Sequence, residues 1–283
     1  MWLASTRTRV GRWSQTVVSA VSGTPADRRS PPAPSVPVEV PAKWATLTVV
    51  VPVRNEAANL CALLPRLSAE LEQNDTLLIV DGGSDDNSMT IARLHGATAL
   101  PCPANRGLQL DRGARQAAGE LLLFLHADSR LEPGWRRRLA HAHWLAPQAL
   151  LFHDLIIRAA DPRFRLVELL VGWRSRLGRL PYGDQGLCLA RDTYADLGGF
   201  RPLALMEDLE LVQRAGRLLE IRPVGAPIQT SMRRWQRLGL LRTCCSNWQL
   251  RRAWRRGATS GVLHSRYYGS NQEPAITAQA STG

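Results

Sequence analysis

The 283-residue chain has no long apolar run, no C-x-x-C pair of cysteines and only one lysine. Its best apolar runs, residues 121–125 and 149–152, are far shorter than the ~18 residues of a membrane-spanning helix, which excludes an integral membrane protein. The five cysteines are scattered without C-x-x-C spacing, which excludes a disulfide framework or zinc site and fits a reducing compartment. The chain has one lysine, Lys43, and 35 arginines, a bias that carries no functional information.

Glycine is also missing where two classes of nucleotide-binding protein need it. The first predicted strand is followed by RNEAAN at residues 54–59, whereas a dinucleotide-binding dehydrogenase has G-x-G-x-x-G at this point. A nucleotidyltransferase needs a glycine-rich loop with a basic residue, and residues 49–60 contain neither glycine nor lysine. Both classes are therefore disfavoured.

The net charge of +12 is concentrated at the two ends of the chain. Residues 45–230 hold 21 arginines and 21 acidic residues, whereas residues 1–44 hold six basic and two acidic, and residues 231–283 nine basic and one acidic. A nucleic-acid-binding protein usually carries its positive charge on the folded body, so no nucleic-acid partner is expected. Basic ends instead favour a peripheral contact with an anionic membrane surface.

Composition divides the chain into four segments. Residues 1–44 are basic and proline-rich, which predicts a disordered leader or a transit-like peptide. Residues 45–230 form the folded body, and residues 231–268 are predicted to be a basic helical extension. That extension either binds anionic lipid or packs on the body as a solvated helix. Residues 269–283 are small and polar, which is typical of a disordered tail.

Strands and helices alternate along the folded body. Apolar segments rich in β-branched or aliphatic residues predict strands, and helical spacing or turn signals separate them. This order is typical of an α/β fold with a mostly parallel, twisted sheet and helices on both faces. The predicted strands cover residues 46–53, 76–80, 97–100, 120–125 and 149–157.

Polar residues follow three of these strands, where ligands bind in such sheets. Asp81, followed by two glycines, would accept hydrogen bonds from a ribose or base, or would close a helix-capping turn. Asp128 is suited to a hard divalent cation beside a diphosphate, or is a turn residue. His126 is a second ligand candidate or a structural histidine. Residues 52–56 form the third cluster.

Two more polar clusters occur later in the chain. Glu207 and Asp208 begin a predicted helix, where acids either complement the helix dipole or act as a general base. The GDQG sequence at residues 183–186 indicates either close approach of a substrate or a simple hairpin. Each cluster alone has a structural explanation, but acidic clusters repeated in order along one α/β body favour a shared site.

Four motifs resemble those of family 2 nucleotide-sugar glycosyltransferases, which have the GT-A fold. VPVRNE at 51–56 resembles the first-strand nucleotide motif, and DGGSDD at 81–86 the second-strand aspartate motif. LHADSR at 125–130 resembles the DxD metal motif, with histidine in the first position, and MEDLEL at 206–211 the ED motif. The strings LFLHADSRL, LPYGDQGL and SMRRWQRLG are similar to the radical-SAM/selenodomain-associated subgroup. The resemblance spans about residues 45–260.

The resemblance implies that residues 45–230 are a GT-A catalytic domain that transfers a sugar from a nucleoside-diphosphate donor to an acceptor hydroxyl with inversion. Mn²⁺ or Mg²⁺, held by Asp128, would be the cofactor. Asp208, or alternatively Glu207, would deprotonate the acceptor. The implied nucleotide-binding residues are Pro52, Val53, Arg54, Glu56 and Asp81, and the implied acceptor or diphosphate contacts are Gly183, Asp184, Gln185, Arg233, Arg234 and Trp235.

An inactive relative that binds lipid or a protein partner is the alternative hypothesis. The presence of Asp81, Asp128 and Asp208 together argues against it, because a relative without activity has no reason to keep all three. We expect a cytoplasmic protein, with or without peripheral contact at the cytoplasmic face of the membrane. The acceptor would then be lipid-linked or hydrophobic. The donor sugar, the nucleotide base and the oligomeric state stay open.

Overall fold

The computed structural model describes residues 43–157, 161–230 and 239–268. Most of the predicted leader, Arg233, Arg234, Trp235 and the predicted tail lie outside the described residues. No helix in the described ranges is long and apolar enough to cross a membrane. The described part of the chain forms a mixed α/β structure around one eight-stranded sheet, with strand order β3-β2-β1-β4-β7-β6-β8-β5.

The first half of the sheet is parallel, as the alternating sequence pattern predicts. Strand β1 lies in its centre and pairs in parallel with both β2 and β4, and β3 pairs in parallel with β2. Helices cross over between the strands. The elements of this half are β1 (Leu47–Val53), α1 (Ala57–Ser68), β2 (Thr76–Asp81), α2 (Ser88–Leu94), β3 (Thr98–Pro101), α3 (Arg106–Gln116) and β4 (Leu121–Phe124).

The second half of the sheet is mixed. Strand β7 runs antiparallel to both β4 and β6, whereas β8 runs parallel to β6 and antiparallel to the short β5. In this half the sequence predicted β6, α4 and the helix that begins at Glu207, α7. The elements are β5 (Arg130–Leu131), α4 (Trp135–Leu145), β6 (Leu150–Ile156), α5 (Arg163–Arg176), β7 (Leu187–Ala190), α6 (Arg191–Asp196), α7 (Glu207–Ala215) and β8 (Ile221–Gln229).

The two faces of the sheet form two apolar layers. Val49 and Val51 of β1 point into the layer that contains α1 and α4, while Val50 between them points into the layer with α3 and α7. Because successive side chains of a strand point to opposite faces, a strand covered on both sides needs a continuous apolar run. That requirement explains the TLTVVVPV sequence, and it places helices on both faces as predicted.

A buried ion pair ties α4 to the sheet. Arg136 donates from Nε to Oδ2 of Asp75 at 2.7 Å and from a terminal nitrogen to Oδ1 at 3.0 Å, and both side chains are almost fully buried. The same guanidinium donates to the Ala45 carbonyl at 2.8 Å, and Asp75 accepts from the Leu47 amide at 2.8 Å. The pair therefore joins α4, the start of β1 and the loop before β2.

Within the basic extension predicted over residues 231–268, the described residues form two helices, α8 (Leu240–Arg255) and α9 (Ser260–Tyr268). Leu250 and Leu263 pack against Leu205 in the loop before α7. Ser260 accepts from the Leu205 amide and donates to its carbonyl, both at 2.9 Å. Both helices thus dock on the loop that leads into α7.

Candidate active site

One cavity of about 620 Å³ lies at the carboxyl ends of β1 and β4. Its volume is within the range of small-molecule binding sites. The wall combines residues that follow these strands, the turn before β7, the start of α7 and the two C-terminal helices. It includes Pro52, Val53, Arg54, Glu56, Arg106, Gln109, His126, Asp128, Tyr182, Asp184, Asp208, Arg251, His264 and Tyr268.

The loop after β1 is fixed by the turn after β2. The Asn55 amide donates to Ser84 Oγ at 2.8 Å, and the Asp85 amide donates to Asn55 Oδ1 at 2.8 Å. Asn55 adopts a left-handed conformation, with φ of 55°, which asparagine tolerates better than most residues. These bonds hold Arg54, whose side chain is exposed, and Glu56 at the cavity.

Asp81 ends β2 and is buried beside the cavity, and it is not part of the described wall. Its carboxylate accepts from the Gly83 amide at 3.1 Å, from the Ser84 amide at 3.0 Å and from the Ser84 hydroxyl. This is the geometry of the capping-turn alternative. Nucleotide binding by Asp81 stays a prediction, and it would require exchange of these bonds.

Three carboxylates and an imidazole face the middle of the cavity: Asp128, Asp184, Asp208 and His126. Gly183 allows their close approach, because a Cβ atom there would lie 3.0 Å from His126 Nε2 and 3.1 Å from Asp208 Oδ2. Its amide donates to Asp208 Oδ2 at 2.7 Å. Gly183 thus acts through its backbone, which fixes the Asp208 carboxylate at the wall.

Burial shifts the acid–base equilibria of two members of this cluster, Asp184 and His126. Burial raises the pKa of Asp184, and the neighbouring Asp208 and Asp128 charges add to the rise. Burial and the Arg106 charge lower the pKa of His126, so its ring is neutral at neutral pH. Oδ1 of Asp184 is buried and has no hydrogen-bond partner among the described residues.

Glu207 and Asp208 are adjacent in sequence but occupy different environments. Glu207 is fully buried, is not part of the described wall, and forms an ion pair with Arg106. Burial raises its pKa to about 7. Asp208 lines the cavity. Met206, with φ of 70°, adopts the left-handed conformation immediately before both residues, a strained geometry that is common at functional sites.

Gln185 lies behind the wall and supports it. Its Oε1 accepts from Arg174 at 2.7 Å, from Ser175 at 2.8 Å and from the Tyr182 amide at 3.2 Å. Its Nε2 donates to the His153 carbonyl at 3.1 Å. With both ends of its amide engaged and its side chain buried, Gln185 is placed to hold the turn that presents Asp184 rather than to contact an acceptor.

Because His153 is buried beneath this turn, we expect the free energy of unfolding to fall at acid pH. Burial lowers its pKa from 6.5 to about 4. Since the unfolded chain then binds more protons between these two values, the stability that His153 contributes is lost as pH falls from 6.5 to about 4. Urea denaturation at several pH values should show this loss in the wild type and a smaller one in His153→Gln. Equal pH dependence in both would contradict the assignment.

Cationic side chains complete the wall. Arg174 lies over the Tyr182 ring, with Cζ 3.4 Å from the ring centroid, and Arg251 of α8 donates to the Tyr182 hydroxyl at 2.8 Å. Arg54 and Arg106 line the cavity on the β1 and β3 sides. Guanidinium groups at these positions suit a phosphorylated ligand.

The chain was compared with known proteins. Residues 48–150 match the family model described as glycosyl transferase family 2. The match supports assignment to this family. The chain is also 35% identical over 109 residues to undecaprenyl-phosphate 4-deoxy-4-formamido-L-arabinose transferase from Aeromonas hydrophila. That stretch is 34% of this chain and spans about a third (33%) of the curated relative.

Two solved structures share the fold of this chain. Glucosyl-3-phosphoglycerate synthase from Mycobacterium tuberculosis, in complex with phosphoglyceric acid, aligns with a TM-score of 0.50 and 21% identity. The alignment covers 66% of this chain and 71% of that one. S. aureus TarS 1–349 aligns with a TM-score of 0.53 and 14% identity, and that alignment covers 66% of this chain and 60% of TarS 1–349. The mixed α/β fold, a curled and mostly parallel sheet flanked by helices, matches GT-A nucleotide-sugar transferases.

The LHADSR segment that follows β4 fits a cation shared with a phosphorylated ligand, not one held by protein alone. Within residues 43–157, 161–230 and 239–268, no three His, Cys, Asp or Glu side chains form a metal cluster. In phosphate-handling sites Mg²⁺ is usually held by one or two carboxylates and the substrate phosphates. Asp128 and the unpartnered oxygen of Asp184 supply such carboxylates.

Several wall residues were missed by sequence reasoning. Arg106 and Gln109 follow β3, whose carboxyl end faces the same edge of the sheet, so the strand-end rule would have found them. Gln109 Nε2 donates to the Val53 carbonyl at 2.9 Å and the Val80 carbonyl at 2.8 Å, bridging the ends of β1 and β2. Arg251 and His264 come from α8 and α9, and their sequence contains no signal that places them here.

Proposed function

We propose that the chain is an inverting glycosyltransferase, in which a sugar passes from a nucleoside diphosphate to an acceptor hydroxyl. The observation that carries the proposal is the convergence of four separate segments on one cavity, three from motifs that resemble family 2 and one from the GDQG sequence. Residues 52–56, 126–128, Asp184 and Asp208 come from distant parts of the chain and meet there. A binding protein without turnover has no need for three carboxylates and a neutral imidazole in one pocket.

The donor would lie along the carboxyl ends of β1 and β4. Residues 52–56 and Asp81 are proposed to hold the nucleoside, and Arg54 and Arg251, with Arg106 beside its Glu207 partner, line the wall for its diphosphate. Asp128, together with Asp184, would hold Mn²⁺ or Mg²⁺. When bound, such a cation neutralises charge that develops on the leaving diphosphate.

Asp208 is the proposed general base. Its Oδ2 is held by the Gly183 amide, while its position on the wall lets the carboxylate reach an acceptor hydroxyl. Asp208 would take the hydroxyl proton as the acceptor oxygen bonds to the anomeric carbon. The bond from that carbon to the diphosphate breaks on the opposite face, and the electron pair leaves with the diphosphate, which inverts the anomeric configuration.

A lipid-linked or hydrophobic acceptor is proposed for the same site. The relative from A. hydrophila is named for transfer to undecaprenyl phosphate, which is a lipid acceptor. A cytoplasmic protein in peripheral contact with the membrane would reach such an acceptor. Membership of the radical-SAM/selenodomain-associated subgroup, and the assignment of residues 45–230 as the catalytic domain, are part of this proposal.

Calorimetric titration with UDP, GDP and dTDP, each with Mn²⁺ and with chelator, tests the proposal. We expect one nucleotide to bind with Mn²⁺ only, and Asp128→Ala to weaken that binding more than about tenfold, because the carboxylate that would hold the cation is lost. Asp192→Ala, at a position whose side chain is 95% exposed on α6, is the matched control and should bind as wild type. Absence of binding by all three nucleotides would overturn the catalytic proposal.

A further inference from the structure

Helix α5 has two apolar faces, and the described residues cover only one of them. Phe164 and Val167 are buried against the sheet, with Val171 packed beside them. On the other side of the helix, five large apolar side chains are between 52% and 81% exposed. These are Leu166, Leu169, Leu170, Trp173 and Leu177, named below the outer stripe.

The outer stripe is continuous. Its members are spaced i, i+3, i+4, i+7 and i+11, so they fall within an arc of about 100° at 3.6 residues per turn. No residue in the described ranges covers them. Single exposed leucines are ordinary, whereas a contiguous apolar patch usually marks an interaction site.

Arginines flank the outer stripe. Arg165 and Arg176 lie along one edge and Arg163 along the other, each more than half exposed. Glu168 lies nearer the inner face, where its carboxylate accepts from the Ile157 amide. Residues 161–179 contain five arginines and two acidic residues. Although each flanking arginine pairs with a carboxylate, and Arg176 with Asp154 outside this segment, the surface around the stripe keeps an excess of positive charge.

We propose that the outer stripe docks the protein on an anionic lipid surface. Its leucines and Trp173 would enter the boundary between headgroups and acyl chains, while the arginines contact lipid phosphates. An apolar face with cationic edges is the pattern of helices that lie in the membrane interface. Arginines can line the edges of such a helix, because their aliphatic stems lie along apolar surface while the charged groups stay in water.

Charge favours this occupant over a second copy of the chain. Two outer stripes packed face to face would bring their arginine rows together, whereas anionic headgroups neutralise them. The ion pairs that these arginines form with Asp161, Glu168 and Asp154 are at the surface, and such pairs are weak enough to exchange for lipid phosphate.

The docking element differs from the one that the sequence suggested. Charge pattern pointed to the basic extension, but its exposed large apolar side chains among the described residues are Trp248 on α8 and Val262 and Tyr268 on α9, which form no continuous stripe, and Trp248 makes a cation–π contact with Arg252. Helix α5 also contacts the cavity wall, because Arg174 in its last turn stacks on Tyr182. A docked α5 would bring this wall close to the lipid surface.

Flotation of the full chain with vesicles tests the proposal without any need for turnover. Wild type should float with vesicles of phosphatidylglycerol and phosphatidylcholine, and less with phosphatidylcholine alone. Leu169→Ser combined with Trp173→Ser should lower the partition coefficient more than about tenfold, since two large apolar groups are lost. Leu94→Ser combined with Leu218→Ser removes two comparably exposed leucines elsewhere and should float as wild type.

Three results would overturn the proposal. The first is equal flotation of wild type and the α5 variant. The second is loss of flotation in Trp248→Ser while the α5 variant still floats, which would move the contact to α8. The third is a wild type that floats with neither vesicle. Light scattering that shows a wild-type dimer, and a monomer for the α5 variant, would belong to this third result and would assign the stripe to a second copy. Because nucleotide binding is measured separately, failure here leaves the proposed activity standing.

Discussion

Replacing Asp208 by asparagine is expected to lower the rate of sugar transfer by about 10²–10⁴-fold, the contribution of a positioned general base. Asparagine has nearly the same shape and its carbonyl oxygen can still accept from the Gly183 amide, which now donates to Asp208 Oδ2 at 2.7 Å. The substitution therefore removes the proton acceptor and keeps the Gly183 contact, but it loses the hydrogen bond that Asp208 Oδ1 accepts from the Leu209 amide at 2.7 Å. Release of nucleoside diphosphate from the donor identified by calorimetry measures the rate.

Two further variants separate catalysis from stability. Asp192→Asn, on the exposed surface of α6, should turn over as wild type. Glu207→Gln should lower stability more than Asp208→Asn does, because it weakens the buried contact with Arg106. If Asp208→Asn turned over nearly as wild type and a stable Glu207→Gln variant lost turnover, the role of general base would belong to Glu207. Loss of nucleotide affinity in Asp208→Asn would contradict a purely catalytic role.

Replacing Asp75 by alanine is expected to lower the free energy of unfolding by about 3–5 kcal/mol, the usual cost of breaking a buried ion pair by removing one partner. The variant leaves the Arg136 guanidinium buried and without its bidentate partner, and the Leu47 amide loses its acceptor. Urea denaturation followed by circular dichroism measures the change. The slope of the transition should stay constant, because the folded state is the same.

An exposed ion pair provides the comparison. Asp161 pairs with Arg163 before α5, where the arginine side chain is 74% exposed. Asp161→Ala should change stability by only about 0–1 kcal/mol, because water and salt screen such a pair. If Asp75→Ala were as mild as Asp161→Ala, the Arg136 pair would not join α4 to the sheet in solution.

The parallel half of the sheet could be predicted from the sequence, and the fold class is confirmed. Strands β1, β2 and β4 are continuous apolar runs because both of their faces are covered, so the pattern is local. Strand β8 escaped prediction because Pro223, Gly225 and Pro227 interrupt it, and prolines argue against a strand. Its place in the sheet depends on pairing with β6 and β5, which no local pattern records.

Helix α5 was not predicted because its apolar residues give no single-faced pattern. Its apolar residues occupy two faces, so they show no single 3.6-residue stripe. For the site, the rule that ligands bind beyond strand ends led to residues 52–56 and 126–128, which do line the cavity. Arg251, His264 and Tyr268 reach it only through packing of the C-terminal helices, a long-range contact that spacing along the sequence does not encode.

The contribution of α8 and α9 to the cavity wall also sets an order of events during synthesis. A chain leaves the ribosome amino end first, so β1 to β4 can pair before these helices exist. Through that interval the nascent protein has its sheet and its carboxylates but lacks the wall that carries Arg251 and His264. The part of the wall that α8 and α9 supply therefore forms last in translation, and a message truncated before Leu240 would encode a chain without it.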